Sequence, residues 1–190
     1  RLDEIGTRQW NVLAGDLPFP IALLRDSALR HNVAWMQEFA RSHGIDIAPH
    51  GKTTMSPELY RRQLAAGAWG ISFATVYQLA VGAEAGVTRA LIANQIVCDA
   101  DLDGLATLQR EYPALRVWFL VDSVAQVGLI DTWRGKRKDD AVFDCLLEIG
   151  ISGKRTGCRT LAQALELAAR ISTSPALCLG GIECYEGSVA

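Results

Sequence analysis

Long hydrophobic runs are missing from this sequence of 190 residues, and each absence of this kind excludes a class of function. No apolar stretch approaches the roughly 18 residues of a membrane-spanning helix, so we expect no membrane partner. The charged start, RLDEIGTRQW, lacks the apolar core of a signal peptide, which favours a cytoplasmic location. A formal net charge of −2 gives no support for nucleic-acid binding.

Cysteine is present without the spacing that would give it a structural role. The sequence has five cysteines, an odd number, and no CxxC pair. This usage favours reduced thiols in a cytosolic protein over a disulfide framework, and it excludes a zinc site built from these cysteines. They are Cys98, Cys145, Cys158, Cys178 and Cys184.

Lysine is scarce, and one lysine stands in an unusual place. Only four are present, and Lys136, Lys138 and Lys154 lie in polar, basic stretches. Lys52 instead follows IDIAPH, at the mouth of a predicted buried strand, where an ammonium group is costly to desolvate. Two interpretations are open: an ion-paired or snorkelling lysine, or an amine of lowered pKa that attacks an aldehyde to form a Schiff base.

Apolar strands alternate with helical segments along the chain, which is 49% hydrophobic and long enough for one good-sized domain. Ser56 and Pro57 form a helix-start signal for a helix ending near Ala66, and Asp26 or Ser27 begins an earlier helix that ends near Ser42. The basic run 134–140 is predicted to be a solvated loop. The predicted strands are 19–25, 45–50, 69–74, 89–95, 116–122, 141–150 and 176–187; the later helices are 75–86, 99–112, 123–134 and 160–172.

The near-continuous apolar character of these strands is typical of a parallel sheet covered on both faces, so the fold class is α/β. A doubly wound sheet and a (β/α)8 barrel both fit. No GxGxxG follows the first strand, which weakens a dinucleotide-binding fold. A barrel has eight strands, and counting from residue 45 the sequence covers about six of them.

Chemistry in such folds collects at the carboxyl ends of the strands. Lys52 lies there, and His50 shares its face of the strand two residues away. This histidine could tune the amine or contact a ring, although a lone histidine is often structural. The other strand-end side chains are Thr75, Asn94, Asp122, Arg155 and Tyr185.

APHGKTTMSP resembles the RPHxKTH motif of the fold-type III pyridoxal phosphate enzymes, the group of D-threonine aldolase, D-serine dehydratase and D-amino-acid deaminase, which are relatives of alanine racemase. The resemblance extends to FPIALLRDSALRHNVAWMQEFARSHG, to GISFATVYQLAVGAEAGVTRALIANQIV, to LLEIGISGKRTGCR and to GIECYEG, and so covers nearly the whole chain. It implies a partial (β/α)8 barrel of the alanine-racemase N-terminal type. Residues 1–26 would form an N-terminal segment and strand, and residues 27–190 the barrel.

The resemblance also implies a site. Lys52 would carry pyridoxal 5'-phosphate as a Schiff base, Arg155 would bind the phenolic oxygen of the cofactor, and Tyr185 would lie near cofactor and substrate. His50 would contact the cofactor. Without the resemblance, Arg155 could be a surface arginine beside Lys154, and Tyr185 a half-buried tyrosine with a satisfied hydroxyl.

Beyond this chain, the resemblance implies a C-terminal β-domain, which in many members holds zinc, and a homodimer of the full-length protein. No metal ligands are expected within residues 1–190.

The function implied is that of a lyase in D-amino-acid metabolism: a D-amino-acid dehydratase or deaminase that converts a D-3-hydroxy amino acid of the D-serine or D-threonine type to a 2-oxo acid and ammonia. Ala48, Thr54 and the pair Gln78-Leu79 depart from the commoner family pattern and favour the deaminase branch over the aldolase. The alternatives are D-threonine aldolase, an amino-acid racemase and a non-catalytic pyridoxal phosphate carrier. A barrel that uses Lys52 as an aldolase without any cofactor also remains open.

Overall fold

The computed structural model describes residues 6–188 of the chain. Two compact units are present, Arg1–Met36 and Gln37–Ala190, and helix α1 (Asp26–His43) begins in the first and ends in the second. The first unit also contains a 3-10 turn, Val12–Ala14, which the side chain of Asn11 caps. The division predicted at residue 26 stays a prediction.

The strand predicted at 19–25 is wrong. Residues 20–25 form no strand, and α1 begins immediately after them. Pro18 and Pro20 explain the error, because neither residue has an amide hydrogen to donate to a neighbouring strand.

The second unit alternates helices with short strands, largely as the sequence predicts. After α1 its elements are α2 (Pro57–Ala65), β1 (Ile71–Phe73), α3 (Val76–Glu84), β2 (Arg89–Gln95), α4 (Asp99–Glu111), β3 (Arg116–Val121), α5 (Val124–Arg137), β4 (Phe143–Ile149), α6 (Leu161–Ser172) and β5 (Leu177–Cys184). A 3-10 turn, Glu186–Ser188, follows β5.

Side-chain caps begin four of these helices. Ser56, Thr75, Ser123 and Thr160 each accept a hydrogen bond from the backbone N–H three residues later, at the starts of α2, α3, α5 and α6. At α6 the side chain of Gln163 also bonds back to the capping residue, which completes a capping box. These hydroxyls satisfy donors that a helix start otherwise leaves unpaired, which is why the sequence marks these boundaries so clearly.

The five strands form one parallel sheet in the order β1-β2-β3-β4-β5. A doubly wound sheet reverses its strand order at a switch point, whereas a barrel adds each strand beside the previous one. The consecutive order therefore shows a partial (β/α)8 barrel, and the doubly wound alternative is excluded for the described residues.

The strand predicted at 45–50 is present only as a single parallel bridge between His50 and Ser72. The amide of Ser72 donates to Pro49 O at 2.9 Å, and the amide of Gly51 donates to Ser72 O at 2.7 Å. Further back, the amide of Trp69 donates to Ile47 O at 2.9 Å, but Pro49 has no N–H to complete a regular ladder. The segment nevertheless lies beside β1 as the first strand of the barrel would.

Side chains alternate between two faces along the strands. On β4, Phe143, Cys145 and Leu147 belong to the buried core shared with the helices, and Glu148 points to the opposite face. The core extends across all five strands and includes Trp133 of α5 and Tyr60 of α2, both of which are fully buried. The opposite face of the sheet lines the cavity described below.

Helix α5 continues to Arg137, so the loop predicted for 134–140 begins four residues too early. Arg137 forms an ion pair with Asp103 of α4 at 2.7 Å, and Arg134 donates to the carbonyl oxygens of Asp139, Asp140 and Pro175. Contacts with neighbouring elements thus hold a basic segment helical that local sequence would leave in solvent.

All five cysteines are free, as predicted. Among residues 6–188 no helix is long and apolar enough to cross a membrane.

Candidate functional site

A cavity of about 250 Å³ lies at the carboxyl ends of the strands, on the face away from the helices. It brings together all four site residues predicted from the sequence, His50, Lys52, Arg155 and Tyr185. The other lining residues are Ala48, Ser72, Leu91, Ala93, Asn94, Leu120, Glu148, Thr156 and Glu183.

Two other strand-end residues predicted as candidates have structural contacts instead. Thr75 caps α3, and Asp122 accepts a hydrogen bond at 3.1 Å from the amide of Gly157. Neither residue lines the cavity.

Gly51 determines which way Lys52 faces. A Cβ atom at Gly51 would lie 2.8 Å from both Ile71 and Tyr60 and 2.9 Å from Phe73, all of which belong to the buried core. Gly51 therefore packs on the core side, and its neighbours His50 and Lys52, the latter in the turn that follows, line the cavity. The Tyr60 hydroxyl also donates to Gly51 O at 2.9 Å, which fixes this segment against the core.

Lys52 is exposed within this cavity, so the partial desolvation suggested by the sequence is not seen. Among the salt bridges of residues 6–188, none involves Lys52. Its ammonium group is therefore available to a ligand rather than held by a carboxylate of the described chain.

His50 is held by a buried serine. Its Nδ1 lies 2.8 Å from the hydroxyl oxygen of Ser72, whose residue is 2% exposed. Partial burial, and then the charge of Lys52, lower the pKa of His50 below its usual value. A neutral imidazole therefore lies beside the lysine at pH 7.

Arg155 lies in a glycine-containing turn between β4 and α6. Gly153 and Gly157 adopt left-handed conformations, with φ of 72° and 100°. The guanidinium of Arg159 fastens the turn by donating to the carbonyl oxygens of residues 151, 154, 155 and 156. Arg159 thus stabilises the loop that carries Arg155. The sequence alone did not identify Arg159 as a residue of this site.

Tyr185 follows β5 and forms a cation–π contact with Arg155. The guanidinium carbon of Arg155 lies 5.0 Å from the centroid of the Tyr185 ring. The tyrosine is half exposed. This contact orients a permanently charged, planar donor group at the cavity.

Glu148 of β4 is buried in the wall of the cavity, with 4% of its surface exposed. Its carboxylate accepts hydrogen bonds from the Thr156 hydroxyl at 2.8 Å and from the Gln95 side-chain amide. Two neutral donors, one on β2 and one in the turn after β4, therefore satisfy this carboxylate.

Glu183 of β5 lies beside Glu148 in the parallel register. Its Oε2 atom is buried, and the described residues provide no hydrogen-bond partner for it. Burial first, then the charges of Glu148 and Glu186, raise the pKa of Glu183, against an opposing effect of Arg155.

Sequence reasoning did not identify Glu148 or Glu183. A signal was present, because each interrupts an apolar run near the carboxyl end of its strand, in CLLEIG and in GGIEC. An isolated charge on such a strand faces either solvent or a polar cavity.

Residues 6–188 contain no cluster of three or more His, Cys, Asp or Glu side chains suited to a metal ion. Zinc therefore has no ligand set in the part of the chain that is described.

The fold and the cavity define a class of protein: a (β/α)8-type barrel with a lysine at the carboxyl end of its first strand segment. The chain belongs to the family described as alanine racemase, N-terminal domain, whose model matches residues 25–189. The resemblance drawn from the sequence is thus confirmed at the level of the family.

Comparison with known proteins gives relatives with two different reactions in their names. The chain is 29% identical over 170 residues to D-threonine aldolase from Arthrobacter sp., and 31% identical over 173 residues to D-threo-3-hydroxyaspartate dehydratase from Delftia sp. strain HT23. Each match covers 90% of this chain and 44% of the relative, so the chain spans less than half the length of these proteins.

The crystal structure of D-threonine aldolase from Filomicrobium marinum has the same fold. It superposes with a TM-score of 0.79 at 29% identity, over 88% of this chain and 44% of the crystallised chain.

Proposed function

We propose that this barrel is the cofactor-binding part of a pyridoxal-phosphate-dependent lyase that acts on a D-3-hydroxy amino acid and releases a 2-oxo acid and ammonia. One observation carries the proposal: Lys52 faces the same cavity as Arg155 and Tyr185, on the side of the sheet away from the packed core. The names of the relatives support a D-3-hydroxy amino acid as the substrate class.

The cavity residues fit this cofactor chemically. Lys52 is an amine without a carboxylate partner in the described chain, which a carbonyl cofactor requires. Arg155 is a planar cation suited to a phenolic oxygen. The buried Oε2 of Glu183, which lacks a partner in the described chain, shows a polar position in the wall that a bound molecule could satisfy. When bound, pyridoxal phosphate supplies the electron sink that stabilises negative charge at the substrate α-carbon.

Each of the four cavity residues would then have a separate role in binding or catalysis. Lys52 would hold the cofactor through its amine and would act as the general base for the substrate α-proton. His50 stays neutral beside it, so it does not add a second positive charge that would hinder this role. Arg155 would bind the phenolic oxygen, and Tyr185, which lines the same cavity, would lie near the cofactor and the substrate.

A second candidate is an aldolase that cleaves the substrate to glycine and an aldehyde, supported by the match to D-threonine aldolase. We favour dehydration because Ala48 and Thr54 depart from the family's commoner RPHxKTH pattern. The two reactions give different products from one substrate.

Incubation of the full-length protein with D-threonine, D-serine or D-threo-3-hydroxyaspartate distinguishes these candidates. We expect ammonia and a 2-oxo acid. Glycine with an aldehyde would establish the aldolase, and the L-enantiomer of the added amino acid would indicate a racemase.

The covalent role of Lys52 has a direct test. We expect borohydride reduction of the protein loaded with pyridoxal phosphate to fix the cofactor on the peptide that contains Lys52. Lys52→Ala should lose the absorbance of the bound cofactor and nearly all turnover, whereas Lys136→Ala should keep both. Normal turnover in Lys52→Ala would remove this residue from the mechanism.

We further propose a cytoplasmic homodimer for the full-length protein, with any zinc held by residues outside 6–188. Sedimentation analysis tests the dimer, and metal analysis before and after chelation tests the zinc.

A further inference from the structure

Two carboxyl groups lie side by side in the wall of the cavity. Glu148 of β4 and Glu183 of β5 are partners in the parallel register, and both line the cavity. Partners in register on adjacent strands point to the same face, about 4.8 Å apart along the hydrogen-bonding direction of the sheet. Two ionised carboxylates on such neighbouring positions in a partly buried wall repel each other.

The two carboxyl groups differ in their hydrogen-bond donors. Glu148 accepts hydrogen bonds from Thr156 and Gln95. The buried Oε2 of Glu183 has no donor among the described residues. Burial and the neighbouring carboxyl groups raise the pKa of Glu183, so its surroundings favour the protonated form.

We propose that Glu183 binds the ligand of this cavity as a neutral carboxylic acid, donating a hydrogen bond to the same anionic oxygen that Arg155 binds. This inference rests on the proposed function, in which that oxygen is the phenolic oxygen of pyridoxal phosphate. A cation and a neutral donor then converge on one oxygen.

Charged groups on every neighbouring element bear on this protonation. Glu148 on β4 and Glu186 after β5 raise the pKa of Glu183, as does burial, whereas Arg155 lowers it. His50 and Lys52 also line the cavity, from the segment before β1. The carboxyl groups and burial together outweigh the guanidinium, so the net direction is upward.

A neutral acid predicts a specific dependence of binding on pH. Only the protonated fraction of Glu183 is competent, so apparent affinity falls as the pH rises through its pKa, approaching tenfold per pH unit well above it. Glutamine has nearly the same shape and keeps a donor at every pH. Alanine removes the donor.

The test measures the dissociation constant of pyridoxal phosphate by absorbance titration between about pH 5 and pH 9, a range that spans shifted carboxyl values. The proteins are the full-length wild type, Glu183→Gln, Glu183→Ala and the control Glu111→Gln, an exposed residue at the end of α4. Ratios to the wild type remove the pH dependence that the four proteins share.

We expect Glu183→Gln to bind like the wild type at the acid end and progressively more tightly than the wild type as the pH rises. Glu183→Ala should bind about ten- to a hundredfold more weakly at the acid end, the usual effect of losing a hydrogen bond to a charged group. Glu111→Gln should follow the wild type throughout.

Two results would overturn the assignment while leaving the proposed function intact. One is a glutamine variant as weak as the alanine variant at every pH, because the ionised carboxylate would then be the binding form. The other is a constant ratio of glutamine variant to wild type across the range. Absence of a reducible adduct on Lys52 in the wild type would instead overturn both proposals. If Glu183→Ala does not fold, the comparison of Glu183→Gln with the wild type still tests whether Glu183 binds as a neutral acid.

Discussion

The Nδ1 atom of His50 and the hydroxyl oxygen of Ser72 lie 2.8 Å apart and join two neighbouring strand segments across the wall of the cavity. Ser72 is buried and belongs to β1, so this contact fixes the imidazole on the rigid part of the fold. The orientation of His50, and with it the surroundings of Lys52, thus depend on one hydroxyl group.

We expect His50 to titrate below the ordinary histidine pKa, because partial burial and the Lys52 charge both disfavour the imidazolium. Removing the positive charge in Lys52→Ala should raise the pKa of His50, although not fully, since burial is the larger cause. NMR titration of the histidine ring measures both values, and Lys136→Ala serves as the control. A His50 pKa unchanged in Lys52→Ala would contradict the proximity of the two groups.

Gly51→Ala should destabilise the fold by about 1–3 kcal/mol, the usual cost of overpacking a core, because its Cβ atom would meet Ile71, Tyr60 and Phe73 at 2.8–2.9 Å. Denaturant unfolding of the two proteins measures the difference. Gly135→Ala is the matched control: it lies in α5 with no atom within 4 Å of the added methyl, and should be stabilising by about 0.5–1 kcal/mol. Equal stability of Gly51→Ala and the wild type would show that the segment does not rest on the core.

Arg155→Ala should weaken the binding of pyridoxal phosphate by about ten- to a hundredfold, the scale of one charge-assisted hydrogen bond. Its neighbour Lys154 does not line the cavity, so Lys154→Ala should bind normally. Absorbance titration of the cofactor compares the two. Weak binding in Lys154→Ala together with normal binding in Arg155→Ala would show that the wrong residue of the pair was assigned.

Arg159→Lys should loosen the turn that carries Arg155. A lysine cannot reproduce the forked contacts that the guanidinium makes with four carbonyl oxygens. We expect amide hydrogen exchange in residues 151–157 to become about ten- to a hundredfold faster. Arg61→Lys, on an exposed part of α2, should leave this exchange unchanged. Unaltered protection in Arg159→Lys would mean that the turn holds its shape without the arginine.

Most helix boundaries could be predicted because their signals are local. Ser56 with Pro57, and Thr160, determine where α2 and α6 begin through hydrogen bonds within four residues. The end of α5 could not be predicted in this way. It depends on an ion pair between Arg137 and Asp103, residues on different helices.

In the candidate site, too, residues with a local sequence signal could be predicted and residues that depend on distant contacts could not. Lys52 and Arg155 could be predicted because short motifs surround them. Glu183 could not be predicted, because its environment depends on Glu148 of the neighbouring strand β4 and on the lack of a hydrogen-bond donor to its Oε2 among the described residues. A sequence shows a single acidic residue, whereas only the register of the sheet shows a pair.

The consecutive strand order has a consequence for how the protein folds and responds to a ligand. Lys52 lies beside β1 and Arg155 follows β4, and a molecule held by both ties these separated parts of the sheet together as a cross-link would. Loop closure of this length costs conformational entropy, and a ligand that binds only the closed form stabilises the protein in proportion to its occupancy. Cofactor loading should therefore raise the unfolding temperature and protect β1 and β4 together, although these two strands are not neighbours in the described sheet.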